Sequence, residues 1–246
     1  MQDFRSPHSD SAAWDFGSVG ILHHSHSDHK YDKLYNNMDE KISFIKEWLG
    51  TGSINIFGLP FSGKDTVGVK LAEMIQARFL SSGMILRAAT DVDMELRHDM
   101  AGGLLAPTDK FREIILPYLG RDDLRPYPLI LSSVGRWEGE ESDVMAAAEA
   151  GGHKIKAVIL LNISENEVWK RWQAAQESGD RGLREDDRVA SAIETRIQEF
   201  IQKTMPVIEH YHTDGILIPV AAIGTREQVF ENTVNGLFNF AKAHQN

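Results

Sequence analysis

A Gly-rich turn between an apolar segment and a helical pattern constrains the fold of this chain more than any other feature. The apolar residues 53–57 lead into Gly58-Leu-Pro-Phe-Ser-Gly-Lys-Asp-Thr66, and residues 67–79 then have the spacing of an amphipathic helix. Strand, glycine loop and helix in this order form a phosphate-binding loop, because the glycines let backbone N–H groups point at a phosphate. The helix N-terminus and Lys64 add positive charge at the same place. The alternative, an ordinary turn with a surface lysine, does not explain the flanking strand and helix, so the segment predicts a nucleoside triphosphate site.

The loop departs at one position from the commonest form of this motif. Ser or Thr usually follows the lysine directly, where its hydroxyl reaches Mg²⁺. Here Asp65 has that position and Thr66 comes next. The residues expected to bind the triphosphate are Gly58, Pro60, Ser62, Gly63, Lys64, Asp65 and Thr66.

The composition excludes several classes of protein. The 246 residues contain no cysteine, which rules out disulfides and thiolate metal sites and agrees with a reducing, cytoplasmic compartment. No segment reaches the roughly 18–20 apolar residues that a membrane helix needs, and the N-terminus lacks the pattern of a signal peptide. The net charge of −10 argues against a nucleic-acid partner. We expect a monomer whose lysine and arginine side chains cluster at a nucleotide-binding site.

Residues 1–37 differ in composition from the rest of the chain. They are rich in Ser, Asp and His and include His23-His-Ser-His-Ser-Asp-His29. Imidazoles are common zinc ligands, but so polar a segment cannot bury enough apolar surface to fold, which favours a disordered tail. Residues 38–246 are expected to form one domain, opening with a helix capped by Asp39. The apolar face of that helix carries Ile42, Ile45 and Leu49.

Short apolar runs alternate with long helical patterns along the remaining chain. The predicted strands are 53–57, 79–81, 128–133, 157–163 and 216–222, and the predicted helices are 109–119, 140–150, 165–177, 189–211 and 225–243. This alternation predicts an α/β fold with a parallel sheet covered on both faces. Ligands of such sheets bind beyond the carboxyl ends of the strands.

Further segments resemble, in the same order, those of nucleoside monophosphate kinases of the adenylate kinase type. The resemblance covers about residues 53–243 and implies a P-loop NTPase three-layer sandwich with about five parallel strands. It also implies a flap for the acceptor nucleotide at about 82–119 and a short lid at about 175–188. The implied reaction transfers the γ-phosphoryl group of ATP, bound with Mg²⁺, to a nucleoside monophosphate, and the protein ligands of the metal stay unassigned. The segments are Ser81-Ser-Gly-Met-Ile-Leu-Arg87, Gly103-Leu-Leu-Ala-Pro107, the strand leading to Arg136, and the stretches 160–171, 179–187 and 193–211.

The resemblance assigns roles to individual positions. Lys64, Arg136, Arg184 and Arg196 are implied to be catalytic, and Arg171 and Gly224 to join the loop in binding ATP. Guanidinium groups suit such a site because each can donate two parallel hydrogen bonds to a phosphate. Two opposed phosphate clamps would align two polyanions, which is most of the catalytic work in phosphoryl transfer. The implied acceptor-site residues are Ser82, Gly83, Arg87, Leu104, Ala106, Arg136, Glu140, Arg181, Arg184 and Arg196.

Glu140 leaves the acceptor base open. The family usually has a glutamine here that reads adenine, whereas an ionised glutamate offers only acceptors and would suit a base with N–H groups, such as guanine. The alternative for Glu140 is an acid favoured at a helix N-terminus by the helix dipole.

Three positions depart from the family pattern. Ser132 replaces an aspartate that organises Mg²⁺, Ala175 replaces a lid arginine, and Met84 replaces an aspartate of the acceptor segment. Loss of an arginine that contacts the transferred group can cost about 10³-fold in rate, unless Arg181 or Arg184 compensates. By its position, Asp65 is a candidate to replace the missing carboxylate. Two other functions stay open: a nucleotide sensor without catalysis, and a kinase of a small acceptor such as a sugar.

Overall fold

The computed structural model describes residues 37–89, 94–178 and 187–245. The first helix, α1 (Met38–Leu49), is capped by Asn37, whose side chain accepts a hydrogen bond from the backbone N–H of Glu40 at 2.8 Å. The prediction of Asp39 as the cap was therefore wrong by two residues, because the Asn37–Glu40 pair forms a reciprocal capping box. The predicted apolar face is buried: Ile42, Ile45 and Leu49.

Within the described residues, five strands form one sheet, and all pairings within it are parallel. The order is β2-β3-β1-β4-β5, so β1 lies at the centre and all six of its residues are buried. Every predicted strand is present, with ends within two residues of the expected ones. The strands are β1 (Ser53–Gly58), β2 (Arg78–Ser81), β3 (Leu129–Ser132), β4 (Ile155–Asn162) and β5 (Leu217–Ala221).

Helices cover the sheet and complete the predicted α/β sandwich. Helices α1, α2 and α10 pack on one another, whereas α5 packs on α6, which contacts β4. The helices after α1 are α2 (Lys64–Ile75), α3 (Ser82–Ala88), α4 (Met94–Ala101), α5 (Thr108–Leu119), α6 (Glu140–Ala150), α7 (Glu165–Ser178), α8 (Ala190–Glu199), α9 (Met205–Thr213) and α10 (Arg226–Ala243). None of the helices in the described ranges is long and apolar enough to cross a membrane.

Two predicted helices have different bounds in the structure. The helix expected over 67–79 ends at Ile75, because Gln76 adopts a left-handed conformation with φ 59° and β2 follows. The helix expected over 189–211 is interrupted by a π-helical turn, Phe200–Thr204. Pro206 has no N–H to continue an α-helical ladder, and the N–H of Met205 bonds to the carbonyl of Phe200.

The described part of the predicted flap contains three helices, of which α3 and α4 were not expected from the sequence. Helix α4 has little amphipathic pattern, and this explains why periodicity did not reveal it. The tail up to residue 36 and residues 179–186 of the lid lie outside the described residues. The disordered tail and the lid therefore remain predictions, as do the roles of Arg181 and Arg184.

Candidate active site

The Gly-rich turn lies where β1 ends and α2 begins. Gly58 is needed there because a Cβ would approach Ser62 Oγ to 2.5 Å and the carbonyl oxygen of Leu161 to 2.8 Å. Lys64 is the first residue of α2, so the backbone N–H groups at this helix end are available to a phosphate. The hydroxyl of Ser62 is buried and has no hydrogen-bond partner within the described part of the chain. This geometry is that of a phosphate-binding loop.

Two cavities flank this loop and share its residues. The larger, of about 530 Å³, is lined by Gly58, Pro60, Lys64 and Asp65, and the smaller, of about 340 Å³, by residues 61–63 and Thr66. Both volumes are in the range of small-molecule sites. One phosphate-binding loop therefore separates two spaces, each large enough to hold part of a nucleotide.

The larger cavity contains three of the five arginines that the sequence predicted on the acceptor side, and the other two, Arg181 and Arg184, lie outside the described residues. Arg87 comes from α3, Arg136 from the loop after β3 and Arg196 from α8, and all three line the cavity together with Lys64. The structure thus brings both predicted clamps to one cleft. It adds Arg97 of α4, which sequence reasoning missed because nothing around it forms a motif. Other predicted acceptor residues that line the cavity are Ser82, Gly83, Leu104, Ala106 and Glu140.

Arg136 carries a charge that the folded protein destabilises. Burial and the neighbouring Arg196 lower the pKa of Arg136 to about 10, although Glu199 and Glu140 oppose the shift. Its Nε is buried and lacks a hydrogen-bond partner among the described residues. Two neighbouring guanidinium groups and an unsatisfied donor favour binding of an anion, which would neutralise the charge and accept the hydrogen bond.

Arg196 is held by an ion pair. Its Nη1 donates to Oδ1 of Asp187 at 2.6 Å, and the two side chains are only 15% and 12% exposed. The carbonyl of Asp187 accepts hydrogen bonds from Trp172 Nε1 and Gln176 Nε2, both at 2.8 Å. The end of the predicted lid is thereby fixed to α7 and α8.

Glu140, the expected reader of the acceptor base, has a different set of contacts. Its Oε2 accepts hydrogen bonds from the backbone N–H groups of Arg136 at 2.8 Å and Trp137 at 3.0 Å, and its Oε1 accepts from Thr108 Oγ1 at 2.8 Å. The residue is 1% exposed. Because both oxygens are used by the protein, the geometry favours a structural role for Glu140, at the N-terminus of α6, over a role in reading the acceptor base.

The acceptor side is also shaped by a turn that packs closely on α8. A Cβ at Gly103 would lie 2.5 Å from the carbonyl oxygen of Ala192, and the residue has φ +92°, so only glycine fits without strain. The N–H of Leu105 donates to the carboxylate of Glu199 at 3.2 Å. The turn at residues 103–107 is therefore anchored to the helix that carries Arg196.

The loop with Arg136 is positioned by a buried side chain that the sequence did not reveal. Asn55 of β1 accepts from the N–H of Val134 at 3.3 Å and donates to its carbonyl at 2.7 Å. Ser82 Oγ donates to the carbonyl of Ser133 at 2.7 Å. A polar residue inside an apolar strand was the available signal, because buried amides are retained where they satisfy other backbone groups.

The smaller cavity is lined by the predicted ATP-binding residues that lie outside the phosphate-binding loop. Arg171 and Gly224 line it, as does Ala175, where the family pattern has an arginine. Arg171 donates to the carbonyls of Phe61 at 3.2 Å and Ala222 at 2.6 Å. It thus connects the phosphate-binding loop to the end of β5. Met84, by contrast, is 41% exposed and does not line either cavity.

Oxygen donors suited to Mg²⁺ lie beside Lys64. Ser132, the last residue of β3, donates from Oγ to Oδ1 of Asp65 at 2.6 Å, and both line the larger cavity. Mg²⁺ in kinases needs only one or two carboxylates, since phosphates and waters supply the other ligands. The described residues contain no cluster of three or more acidic and histidine side chains that could hold a metal. Asp65 and Ser132 offer oxygen donors to a metal bound to nucleotide phosphates.

Comparison with known proteins gives relatives of one kind and a structural neighbour of another. An adenylate kinase of Deinococcus radiodurans is 28% identical over 188 residues, which cover 73% of this chain and 93% of that protein. One of Xylella fastidiosa is 28% identical over 193 residues, covering 74% and 97%. The crystal structure of a gluconokinase from Sinorhizobium meliloti 1021 superposes with a TM-score of 0.55 at 18% identity, covering 79% and 95%. No protein-family model matches the chain.

The fold and the phosphate-binding loop between two cavities define a P-loop kinase, a phosphotransferase that binds ATP. The chain is similar to adenylate kinases, and these relatives together with the structural neighbour support a nucleoside monophosphate kinase or P-loop kinase family. The resemblance seen in the sequence is confirmed at that level.

Proposed function

We propose that the protein transfers the γ-phosphoryl group of ATP to a nucleoside monophosphate and so forms two nucleoside diphosphates. One observation carries the proposal: a single phosphate-binding loop lies between two cavities, and the larger contains Lys64 and four arginines. A second phosphorylated substrate explains this concentration of positive charge in a protein whose net charge is −10. An uncharged acceptor hydroxyl would leave it unexplained.

In the proposed reaction, an oxygen of the acceptor phosphate attacks the γ-phosphorus of ATP. The bond from that phosphorus to the β–γ bridging oxygen breaks, and ADP leaves with both electrons of the bond. Lys64 and the loop N–H groups would hold the donor phosphates, while Arg87 and Arg136 would hold the acceptor phosphate. Mg²⁺ bound with ATP would neutralise charge on the donor phosphates.

The supporting electrostatics concern Arg136 and Arg196. Burial and then repulsion from Arg196 lower the pKa of Arg136, so an anion between the two arginines and Lys64 would relieve an unfavourable interaction already present in the protein. Asp187 holds the guanidinium of Arg196 by an ion pair of 2.6 Å. Guanidinium groups fixed before the substrate arrives stabilise migrating charge without rearranging during the reaction.

The donor is proposed to occupy the smaller cavity. Arg171, with its guanidinium fixed by two carbonyls, would present a planar face to the donor base, and Gly224 would contact it through the backbone. Ala175 contributes no charge there, so the reaction would depend more heavily on the arginines of the larger cavity.

The test is a panel of AMP, GMP, CMP, UMP and dTMP, each with ATP, with and without Mg²⁺, and with both products separated chromatographically. We expect diphosphate formation from at least one acceptor, and loss of it in Arg136→Gln with binding of ATP alone retained. Arg112→Gln is the matched control, because Arg112 is exposed, pairs with Asp143 and does not line either cavity. A panel with no diphosphate would refute the proposal.

Two observations support other functions, and the same assay separates them. The gluconokinase neighbour suggests a sugar acid as the acceptor, in which case ADP would form with gluconate and not with any monophosphate. Ser132 and Ala175, in place of charged family residues, suggest a sensor that binds nucleotides without transferring phosphate. Tight binding of a dinucleotide that joins both substrates, without turnover, would establish the sensor.

A further inference from the structure

The loop and the neighbouring strand carry their metal-binding groups in exchanged positions. P-loop NTPases generally place a Ser or Thr hydroxyl directly after the loop lysine and an aspartate at the end of a neighbouring strand. In this chain Asp65 follows Lys64, and Ser132 ends β3. The carboxylate and the hydroxyl are therefore both present, each on the element where the other is expected.

The sheet brings the two groups into contact. Strand β3 pairs with β1 in parallel, with Ser132 opposite Ile56, so the end of β3 lies beside the loop that leaves β1. Ser132 Oγ donates to Asp65 Oδ1 at 2.6 Å, and Ser132 is 2% exposed. A carboxylate attached to residue 65 thus reaches the same part of the cavity as one attached to residue 132 would.

A purely structural role for Asp65 explains less of this arrangement. An acid in the first turn of α2 is favoured by the helix dipole wherever its side chain points. The dipole does not account for a hydrogen bond to a buried serine of another strand, nor for a position on the cavity wall next to Lys64. The hydroxyl proton of Ser132 fixes the orientation of the carboxylate, as groups behind metal ligands commonly do.

We propose that Asp65 supplies the carboxylate that binds the nucleotide's Mg²⁺, directly or through its waters, and that Ser132 is the positioning residue that orients it. The inference rests on the proposed function only in requiring that ATP binds with Mg²⁺. Asp65 would then compensate for the aspartate that Ser132 replaces at the end of β3. The presence of Ser132 in the sequence would therefore not mean that the protein works without a metal.

Binding of metal and nucleotide, measured without turnover, tests the inference. The titrations use a non-hydrolysable ATP analogue, whose affinity is measured by calorimetry with and without Mg²⁺. The binding of Mn²⁺ is followed separately by electron paramagnetic resonance. In Asp65→Asn the amide can still accept from Ser132, so folding should be preserved, and we expect the gain in affinity due to Mg²⁺ to fall about tenfold or more. Ser132→Ala should give a smaller loss, because the carboxylate remains and only its hydrogen bond from Ser132 is removed.

The exchange itself can be reversed in the double variant Asp65→Ser with Ser132→Asp. This places the hydroxyl in the loop and the carboxylate at the strand end, and we expect Mn²⁺ affinity within a few-fold of that of the unmodified protein. Asp39→Asn, which removes an exposed acid from the first turn of α1, is the matched control and should change nothing.

An unchanged Mg²⁺ effect in Asp65→Asn, or a double variant as weak as the single one, would overturn the inference. These results are distinguishable from failure of the proposed function. If only the proposed function fails, the monophosphate panel will give no diphosphate, but the unmodified protein will still bind Mg²⁺ and the ATP analogue together in a way that depends on Asp65. Absence of any nucleotide binding would overturn both.

Discussion

Replacing Glu140 tests whether this residue reads the acceptor base or holds the loop with Arg136. Glu140→Ala leaves the N–H groups of Arg136 and Trp137 without their acceptor, and both point toward a residue that is 1% exposed. A buried donor without a partner costs about 1–3 kcal/mol. Two such donors give an expected loss of about 4 kcal/mol in the free energy of unfolding.

Glu140→Gln should be much milder because the amide can satisfy the same three groups. Its oxygen would accept from the two backbone N–H groups, and its nitrogen would donate to Thr108 Oγ1, since a hydroxyl also accepts. Only the charge contribution to these bonds is lost, about 1–2 kcal/mol in total. The difference between the Ala and Gln variants is therefore about 2–3 kcal/mol.

Urea unfolding of both variants measures these energies, and the monophosphate panel measures the order of acceptor preference by kcat/KM. We expect Glu140→Gln to keep that order. Glu141→Gln is the matched control, because Glu141 is the next residue of α6, is 4% exposed and does not line the larger cavity. A changed order of acceptors in Glu140→Gln, or a loss below about 1 kcal/mol in Glu140→Ala, would refute the reasoning.

Three further predictions concern charge, strain and close packing. Without ligand, Arg136→Gln should raise the free energy of unfolding by about 1–3 kcal/mol at pH 8. The pKa of folded Arg136 is about 10 and lies below its unfolded value, so this gain in stability should shrink above pH 10. A gain that does not depend on pH would contradict the lowered pKa of Arg136. Phe61 has φ +60°, so Phe61→Gly should be about 1 kcal/mol more stable than Phe61→Ala in thermal unfolding, although both lose the ring; equal stability would show that the backbone is not strained. Gly103→Ala should lose about 2 kcal/mol of stability and lower kcat/KM for the acceptor with ATP binding retained, because its Cβ would collide with the carbonyl of Ala192; normal kinetics would show that the turn does not shape the acceptor site.

The sheet could be predicted closely because its signals are local. Apolar β-branched runs bounded by turns mark strands in almost any context, and all five strands were recovered. Helices were harder wherever the hydrophobic period was weak, as in α4, or where a proline changed the hydrogen-bond pattern, as at Pro206. The phosphate-binding loop was recognised because its chemistry depends on adjacent residues.

The roles of single side chains were less predictable than their presence near the site. Glu140 lies on the wall of the expected cavity, yet its contacts come from Thr108 and from backbone groups three and four residues before it. Arg97 has no motif around it and reaches the cavity only because α4 folds over the acceptor side. Such contacts depend on how elements pack, which no local pattern of residues encodes.

By itself, the sequence determined the parallel sheet, the phosphate-binding loop and the presence of several arginines on the acceptor side. These features follow from short-range rules of backbone geometry and from the order of the elements. Only the tertiary structure decided that Asp65 meets Ser132, that Asn55 holds the loop after β3, and that Arg136 and Arg196 are close enough to repel. Hydrogen bonds and charge interactions between distant parts of the chain act over a few ångströms, so they exist only after packing has brought the groups together.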